Sequence, residues 1–411
     1  MTTRTLFVVS QYPSRSETFV YREVRGLKSA GVPVQVATLR GSGESVRDAN
    51  GVVDPPDFCL YGRSGWGNLF RAFAEVLAHP LRSARTLGTA FGDALRPGES
   101  VPVGGRAKLV PQAFFALALA RWARKNGVGH VHCHFAHAPT TIGMYAALHL
   151  GVTFSFVGHA NDLFQRRSLL RRKLQRSAFV SCISEWHRDL YRSVEPSAPE
   201  RYRVIRCGVD MTTWKGAEEG PSPREGREVL TVARLVEKKG IDTLIEAISK
   251  LRPSDGRPWT LKIVGDGPLR EQWEALAGRL GCSDRVTWLG AQDNEQVRRL
   301  MEGAGQFVLP CRTDAQGDRD GIPVVLMEAM ASRLPVVVGD LPAIRELVQD
   351  GVTGRLVEPD RGEALAGVLQ EMARDQELRQ RLARAGRRRV EEEFSLEANV
   401  ARLKTAIEDV A

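Results

Sequence analysis

The stretch Asp320-Gly-Ile-Pro-Val-Val-Leu-Met-Glu328-Ala-Met-Ala331 decides how the chain is read. A short apolar run, Gln306 to Pro310, precedes it and predicts a strand, and the polar residues 312–319 between the two predict a loop. Gly321 and Ile322 lead to Pro323, which suits the first turn of a helix because its missing N–H costs nothing there. The N–H groups of Val324 and Val325 then lack a partner within the helix. They sit at an end that carries partial positive charge and suits a phosphate. Asp320 falls in the loop and Glu328 inside the helix, eight positions on, which leaves room for a ligand between them. Glu328 stands among Val324, Val325, Leu326, Met327, Ala329 and Met330. A carboxylate there predicts hydrogen bonds to a pair of vicinal hydroxyls, as on a ribose; a glutamate turned to water is the alternative.

Outward from this stretch the chain alternates short apolar runs with longer helical patterns. Strands are predicted at Thr5 to Val9, Val34 to Thr38, His130 to Cys133, Thr153 to Val157, Ala178 to Cys182 and Tyr202 to Ile205. Helices are predicted between them, at Thr18 to Ser29, Leu109 to Lys125, Ala138 to His149 and Glu185 to Tyr191. The loop from Lys215 to Gly226, rich in Gly, Pro and charge, marks a domain boundary. A second series of strands follows at Val229 to Ala233, Thr260 to Val264, Val286 to Trp288, Gln306 to Leu309, Pro335 to Val338 and Gly354 to Val357. Helices close the chain, a broken pair from Gly362 to Glu393 and then Leu396 to Val410. Strands alternating with helices predict parallel sheets covered on both faces, an α/β fold. The expected domains are residues 1–210, with a basic helical insertion at about 60–125, then 227–393, then a final helix over 394–411.

A chain of 411 residues is long enough for two or three domains, and 43% hydrophobic with 26% charged residues is ordinary for a soluble globular protein. Met1-Thr-Thr-Arg runs straight into a strand-like segment rather than a secretory leader, and the apolar run Phe114 to Ala120 is too short to span a bilayer. The six cysteines are scattered without a Cys-x-x-Cys pair, which predicts reduced thiols in a cytoplasmic protein. A net charge of +9 favours anionic partners. No nucleic-acid module accompanies the charge, so nucleic acid is not expected.

Arg234 and Lys239 follow the first strand of the second half, at the carboxyl edge of a parallel sheet where open α/β folds bind ligands. Fixed cations there can neutralise a departing diphosphate without a metal; a solvated loop is the alternative. Gly265-Asp266-Gly267 is a tight turn whose glycines let a base or phosphate approach the backbone. It is not a dinucleotide fingerprint, since the third glycine is missing. His159 ends a strand of the first half, and Asp162 follows in the next loop. His130, His132 and His134 alternate along one strand face, with His137 beyond, at a spacing open to Zn²⁺; a buried strand end explains the pattern equally, and no metal is expected.

Taken together these motifs resemble the family 4 glycosyltransferases, retaining enzymes of the GT-B fold with two facing Rossmann-like domains. The resemblance extends over nearly the whole chain. Asp320 and Glu328 are similar to the family's acid-x7-acid motif, with Asp320 standing where the family usually has Glu. It implies that Glu328 holds the nucleotide ribose and Asp320 the donor sugar. Arg234 and Lys239 resemble the family's pair at the leaving diphosphate, and Gly265, Asp266, Gly267 and Leu289 the border of the nucleotide base. The resemblance implies that His159 touches the donor sugar. His132-Cys-His134-Phe-Ala is similar to a stretch of polysaccharide-assembly members, with His134 facing the substrate. Ser16, Glu17 and Thr18 resemble the same subgroup's first loop, where an acceptor is recognised. The function implied is transfer of a sugar from a UDP- or GDP-linked donor, without other cofactor or metal, to a saccharide acceptor, lipid-linked as in exopolysaccharide assembly. A lipid-linked acceptor places the enzyme on the inner, anionic face of the cell membrane, a partner suited to the basic segments at 60–125 and 165–176. An epimerase, a phosphorylase or a non-catalytic nucleotide-sugar-binding subunit are the alternatives on this scaffold.

Overall fold

The computed structural model of the chain describes residues 3–410 apart from 15–16, 42, 44–45, 49–50, 63–64, 97–100, 102, 160–162, 164–167, 216–225 and 253–255. Two compact units emerge. One is built from Met1–Arg47, Gly51–Arg206 and Glu397–Ala411, the other chiefly from Cys207–Leu396.

The first unit holds a parallel sheet of seven strands: β1 (Arg4–Tyr12), β2 (Val34–Gly41), β3 (Phe58–Tyr61), β4 (Val128–His134), β5 (Thr153–Gly158), β6 (Phe179–Cys182) and β7 (Tyr202–Val204). Their order is β3-β2-β1-β4-β5-β6-β7, with Phe7 opposite Val36 on one side and His132 on the other. Helices α1 (Thr18–Ser29), α2 (Gly65–Ala78), α3 (Pro80–Leu95), α4 (Leu109–Lys125), α5 (Ala138–Leu150), α6 (Leu170–Arg176) and α7 (Glu185–Val194) lie between them. Leu6, Val8, Leu117, Ile142 and Phe156 belong to its core, all buried. β1 carries the apolar run Leu6 to Val9, buried on both faces, whereas β4 is buried almost throughout although His130, His132 and His134 alternate along it.

The second unit repeats the design with six parallel strands: β8 (Glu228–Val232), β9 (Thr260–Val264), β10 (Val286–Gly290), β11 (Gln306–Leu309), β12 (Val336–Gly339) and β13 (Arg355–Val357). The order β10-β9-β8-β11-β12-β13 is the doubly wound arrangement, with its reversal between β8 and β11. Its helices are α8 (Ile241–Lys250), α9 (Arg270–Arg279), α10 (Asn294–Gly303), α11 (Val324–Ala331), α12 (Gly362–Arg374) and α13 (Gln376–Glu393). Val229, Ile245, Leu261, Val308, Val337 and Leu365 fill its core. The last helix, α14 (Leu396–Glu408), returns to the first unit, where Lys404 Nζ donates to Ala30 O (2.8 Å) and Arg203 Nη1 to Asp409 Oδ2 (2.6 Å). The two Rossmann-like sheets, the helical insertion and the returning helix agree with the architecture expected of the sequence.

Three local details go beyond the sequence reading. Strand β3 was not anticipated: its four residues pair only with β2 at the sheet edge, too short a run to show alternation. The first helix of the insertion, α2, follows it at Gly65. The basic segment before Arg176 buries more than its leucines. Leu169, Leu170 and Leu174 are buried, but so is Lys173, whose ammonium donates to Ala136 O and Ser168 O; Arg176 grips Asp93 through both nitrogens (2.6 and 3.0 Å). Gln165, Arg166 and Arg167 lie outside the described residues, as do Asp162 and most of the loop from Lys215 to Gly226.

Candidate active site

In an open parallel sheet, neighbouring strands whose connections run opposite ways leave a crevice beyond their carboxyl ends. In the second unit that crevice lies beyond β8 and β11, and the two loops leaving these strands carry its charged residues.

Gly240, with φ of +64°, ends the first of these loops; a Cβ there would meet Pro310 O at 2.0 Å, so only glycine lets the loop lie against the end of β11. That approach delivers two lysines to the second loop. Lys239 Nζ donates to Asp320 Oδ2 (2.6 Å), while Lys238 Nζ lies 2.9 Å from Asp318 Oδ2 and 3.3 Å from Asp320 Oδ1. Cys311 Sγ also donates to Asp320 Oδ2 (3.2 Å). Burial alone would raise the Asp320 carboxyl, but Lys239 and Lys238 hold it below the ordinary carboxylate range. The ammonium of Lys239 likewise loses solvation on burial and gains more from Asp320, so its pKa rises. Burial and Asp320 push the Cys311 thiol well above its ordinary value. At neutral pH Lys239 is thus an ammonium held against an ionised Asp320.

Arg234, on the same loop, is exposed. Helix α11 starts at Val324 with Pro323 before it; Gly321, Ile322 and Pro323 are buried and Val324 and Val325 half-buried. Glu328 is 6% exposed, which removes the alternative of a solvated outer-face glutamate. Asp266 is exposed and accepts from Gly267 N (2.8 Å), and Leu289 is half-buried. The two glycines of that turn have a structural reason that the sequence reading did not foresee. A Cβ on Gly265 would meet Ala233 O at 1.9 Å and one on Gly267 would meet Leu235 O at 2.5 Å, so these glycines let the 265–269 turn pack on the loop after β8. Leu235 N donating to Asp266 O (3.0 Å) ties the loops together.

In the first unit the equivalent reversal lies between β1 and β4, and α1 and the end of β4 meet there. Glu17 precedes α1 and Thr18 opens it; Ser16 lies outside the described residues. His134 Nε2 sits 3.0 Å from Glu23 Oε1 and its Nδ1 3.4 Å from His159 Nε2, with the two imidazoles stacked at 5.6 Å. Phe19 packs on His159 at 4.5 Å, and His159 O receives His187 Nε2 (3.0 Å). Burial, reinforced by His134, His187 and His137, holds the His159 imidazole well below its ordinary pKa, so it is neutral at pH 7. The structure thus joins His134 and His159 to α1. It also adds Glu23, Lys238 and Asp318, which sequence reading missed: Glu23 lies 111 positions from His134 and Asp318 80 from Lys238. The doubled lysine at 238–239 was the one signal open to notice.

The histidines on β4 divide their work. His130 has both ring nitrogens within 2.7 Å of hydroxyls, Thr153 Oγ1 and Ser155 Oγ, and burial lowers its pKa to about 4. His137 caps α5, its Nδ1 accepting from Ala138 N (2.8 Å). Glu23, His132 and His134 each bring one ligand atom within 4.8 Å of the others, and those three side chains are the ones among the described residues able to hold a metal ion.

Residues 16–213 match the family described as Glycosyltransferase Family 4, and residues 213–389 the family described as Glycosyl transferases group 1. The chain is 34% identical over 213 residues to the putative colanic acid biosynthesis glycosyltransferase WcaL of Salmonella typhimurium, covering 52% of each chain. It is 36% identical over 262 residues to the amylovoran biosynthesis glycosyltransferase AmsK of Erwinia amylovora, covering 62% of this chain and 63% of that one. The match spans about half to two-thirds of these relatives' lengths. In fold it is similar to Anabaena HepE, solved in complex with UDP, with a TM-score of 0.71, 16% identity and 100% of both chains covered.

Proposed function

The chain belongs to the family 4 glycosyltransferases, and from that membership we propose that it moves a sugar from a nucleotide-sugar donor to a saccharide hydroxyl with retention at the anomeric carbon. The observation that carries the reading is the half-buried Lys239–Asp320–Lys238 cluster beside the start of α11. Glu328 accepts the ribose hydroxyls, the Val324 and Val325 end of α11 receives the phosphates, and Arg234 and Lys239 stabilise the charge that develops on the leaving diphosphate. Asp320 keeps Lys239 charged and aimed, and a carboxylate oxygen holding one lysine retains a lone pair for a sugar hydroxyl. His159, neutral and set beside His134 and Phe19, suits a sugar hydroxyl better than it suits a phosphate.

The reaction proceeds by front-face attack. The bond from the anomeric carbon to the phosphate oxygen breaks, the acceptor oxygen bonds the same face of that carbon, and the acceptor's proton passes to the departing phosphate. Positioning and fixed charge do most of this work. The cations at Arg234, Lys238 and Lys239 stand in for the divalent ion that many transferases place on a diphosphate, so we propose metal-independent transfer. UDP or GDP is the carrier, and the acceptor is lipid-linked, met at the inner, anionic face of the membrane; the polysaccharide roles of WcaL and AmsK support an exopolysaccharide context.

The test is a panel of UDP- and GDP-sugars incubated with the enzyme and candidate acceptors, following free nucleoside diphosphate with and without chelator. Release is expected with one donor, faster with acceptor, and unchanged by chelator. Activity that collapses in chelator and returns with Mn²⁺ overturns metal independence and draws attention to Glu23, His132 and His134. Donor interconversion without nucleotide release marks an epimerase instead.

Asp320→Glu restores the family's usual acid in a half-buried position against Lys239, Lys238 and Cys311. The longer side chain should change preference across the donor panel while leaving affinity for the free nucleoside diphosphate nearly unchanged. Identical kinetics on every donor would mean that Asp320 serves the lysines and not the sugar.

A further inference from the structure

Helices α2 and α3 are built inside out. Along α2 the buried positions are Asn68, Ala72 and Glu75, while Trp66, Phe70, Phe73 and Leu77 are 78%, 71%, 54% and 83% exposed. Those four recur four, three and four residues apart, so they form one stripe on the helix. Along α3 the buried positions are Ser83, Thr86, Ala90 and Asp93, and Leu81, Phe91 and Leu95 are exposed by 86%, 58% and 64%. An ordinary surface helix turns its apolar stripe to the core. Here the core side takes Asn68, Glu75, Ser83, Thr86 and Asp93 along with Ala72, Val76, Leu87 and Ala90, while the largest apolar side chains of both helices are left to water.

The polar interior is satisfied by the first unit's own side chains. Glu75 receives Arg124, Arg121 (3.3 Å) and His149 Nε2 (2.9 Å). Asp93 receives Arg176 and the Tyr145 hydroxyl (3.0 Å). Both carboxylates are therefore withdrawn from the surface. Arg71, Arg82, Arg85, Arg96 and Lys108 are exposed, and among the described residues of 61–108 no carboxylate is. The outer face is aromatic, aliphatic and exclusively cationic.

We propose that this face of α2 and α3 docks on an anionic phospholipid surface, with both helices in the interfacial plane. Trp66, Phe70, Leu77 and Leu81 enter the boundary between headgroups and acyl chains, and the flanking Arg and Lys side chains meet lipid phosphates. A second copy of the chain suits the face poorly, because pairing two such faces brings like charges together. The proposal rests on the reading of the acceptor as lipid-linked and names the element that brings the enzyme to it. In the segment ending at Arg176, Lys173 and Arg176 are occupied inside the protein, while Arg171 is exposed.

The experiment uses the full chain with vesicles of phosphatidylcholine alone or with phosphatidylglycerol, read by co-sedimentation. The wild type should bind the anionic vesicles at low salt and bind neutral ones weakly. A variant carrying Trp66→Ser, Phe70→Ser, Leu77→Ser and Leu81→Ser should bind more than about tenfold more weakly, with unchanged circular dichroism and donor hydrolysis, since all four side chains leave water on binding. Brominated lipids should quench tryptophan emission in the wild type, and Trp66→Phe should abolish that quenching. Equal binding by wild type and variant, no binding by the wild type, or a wild-type dimer that the variant dissolves would overturn the proposal. Donor hydrolysis reads the transferase reading separately: its absence counts against glycosyl transfer whatever the vesicles do.

Discussion

Lys239→Ala should lower kcat by about 10²–10³-fold, the usual cost of removing one group that stabilises charge developing in a transition state. The side chain is half-buried at the carboxyl ends of β8 and β11, charged, and fixed by Asp320 at 2.6 Å. A cation that is already oriented needs no reorganisation as the diphosphate departs, so its loss falls on kcat more than on KM. Asp320 keeps Lys238 at 3.3 Å, which spares it a wholly unpaired buried charge and keeps the variant folded at a reduced Tm. Lys239→Arg should recover part of the rate, because the charge returns in a different shape. Steady-state kinetics below the variant's Tm check this. A kcat within a few-fold of wild type would show that Lys239 merely balances Asp320.

Glu328→Gln has its expected effect on binding. Gln has the shape of Glu but replaces one acceptor oxygen with a donor and removes the charge, so bonds from two ribose hydroxyls to a carboxylate are lost or weakened. Hydrogen bonds to charged groups contribute about 1.5–3 kcal/mol, which corresponds to roughly a tenfold to hundredfold weaker Kd for the free nucleoside diphosphate. Glu328 is 6% exposed on a helix of otherwise apolar face, so Gln fits the same space. Titration calorimetry with UDP and GDP measures the change. Equal affinity in the two proteins removes Glu328 from the ribose.

Much of the fold was legible because parallel strands buried on both faces leave uninterrupted apolar runs. Gln306–Leu309 and Thr260–Val264 have the bounds that their sequence suggests, as do the helices Thr18–Ser29 and Leu109–Lys125 with their strong periodicity. Phe58–Tyr61 escaped because an edge strand of four residues carries no pattern of its own. In the candidate site, local motifs placed Asp320, Arg234 and Lys239 in loops at the carboxyl ends of β8 and β11, and Glu328 inside α11. Pairings across long separations, such as Lys238 with Asp318 or Glu23 with His134, have no local signature. Gly265 and Gly267 were legible as special, and the structure adds a packing reason, since they accommodate the backbone of residues 233 and 235. The inverted helix pair was hidden in the same way. Trp66, Phe70 and Phe73 are visible in the sequence, but which way they face depends on Arg121, Arg124 and His149 drawing Glu75 inward.

The most direct single measurement is proton NMR of the reaction with the preferred donor and an accepting saccharide, reading the anomeric coupling of the new linkage while free nucleotide is counted. A retaining transfer driven by the Lys239 and Arg234 cations yields one nucleoside diphosphate per new linkage, and an α-linked donor yields an α-linked product. A β-linked product, or donor consumed without matching nucleotide, would contradict it.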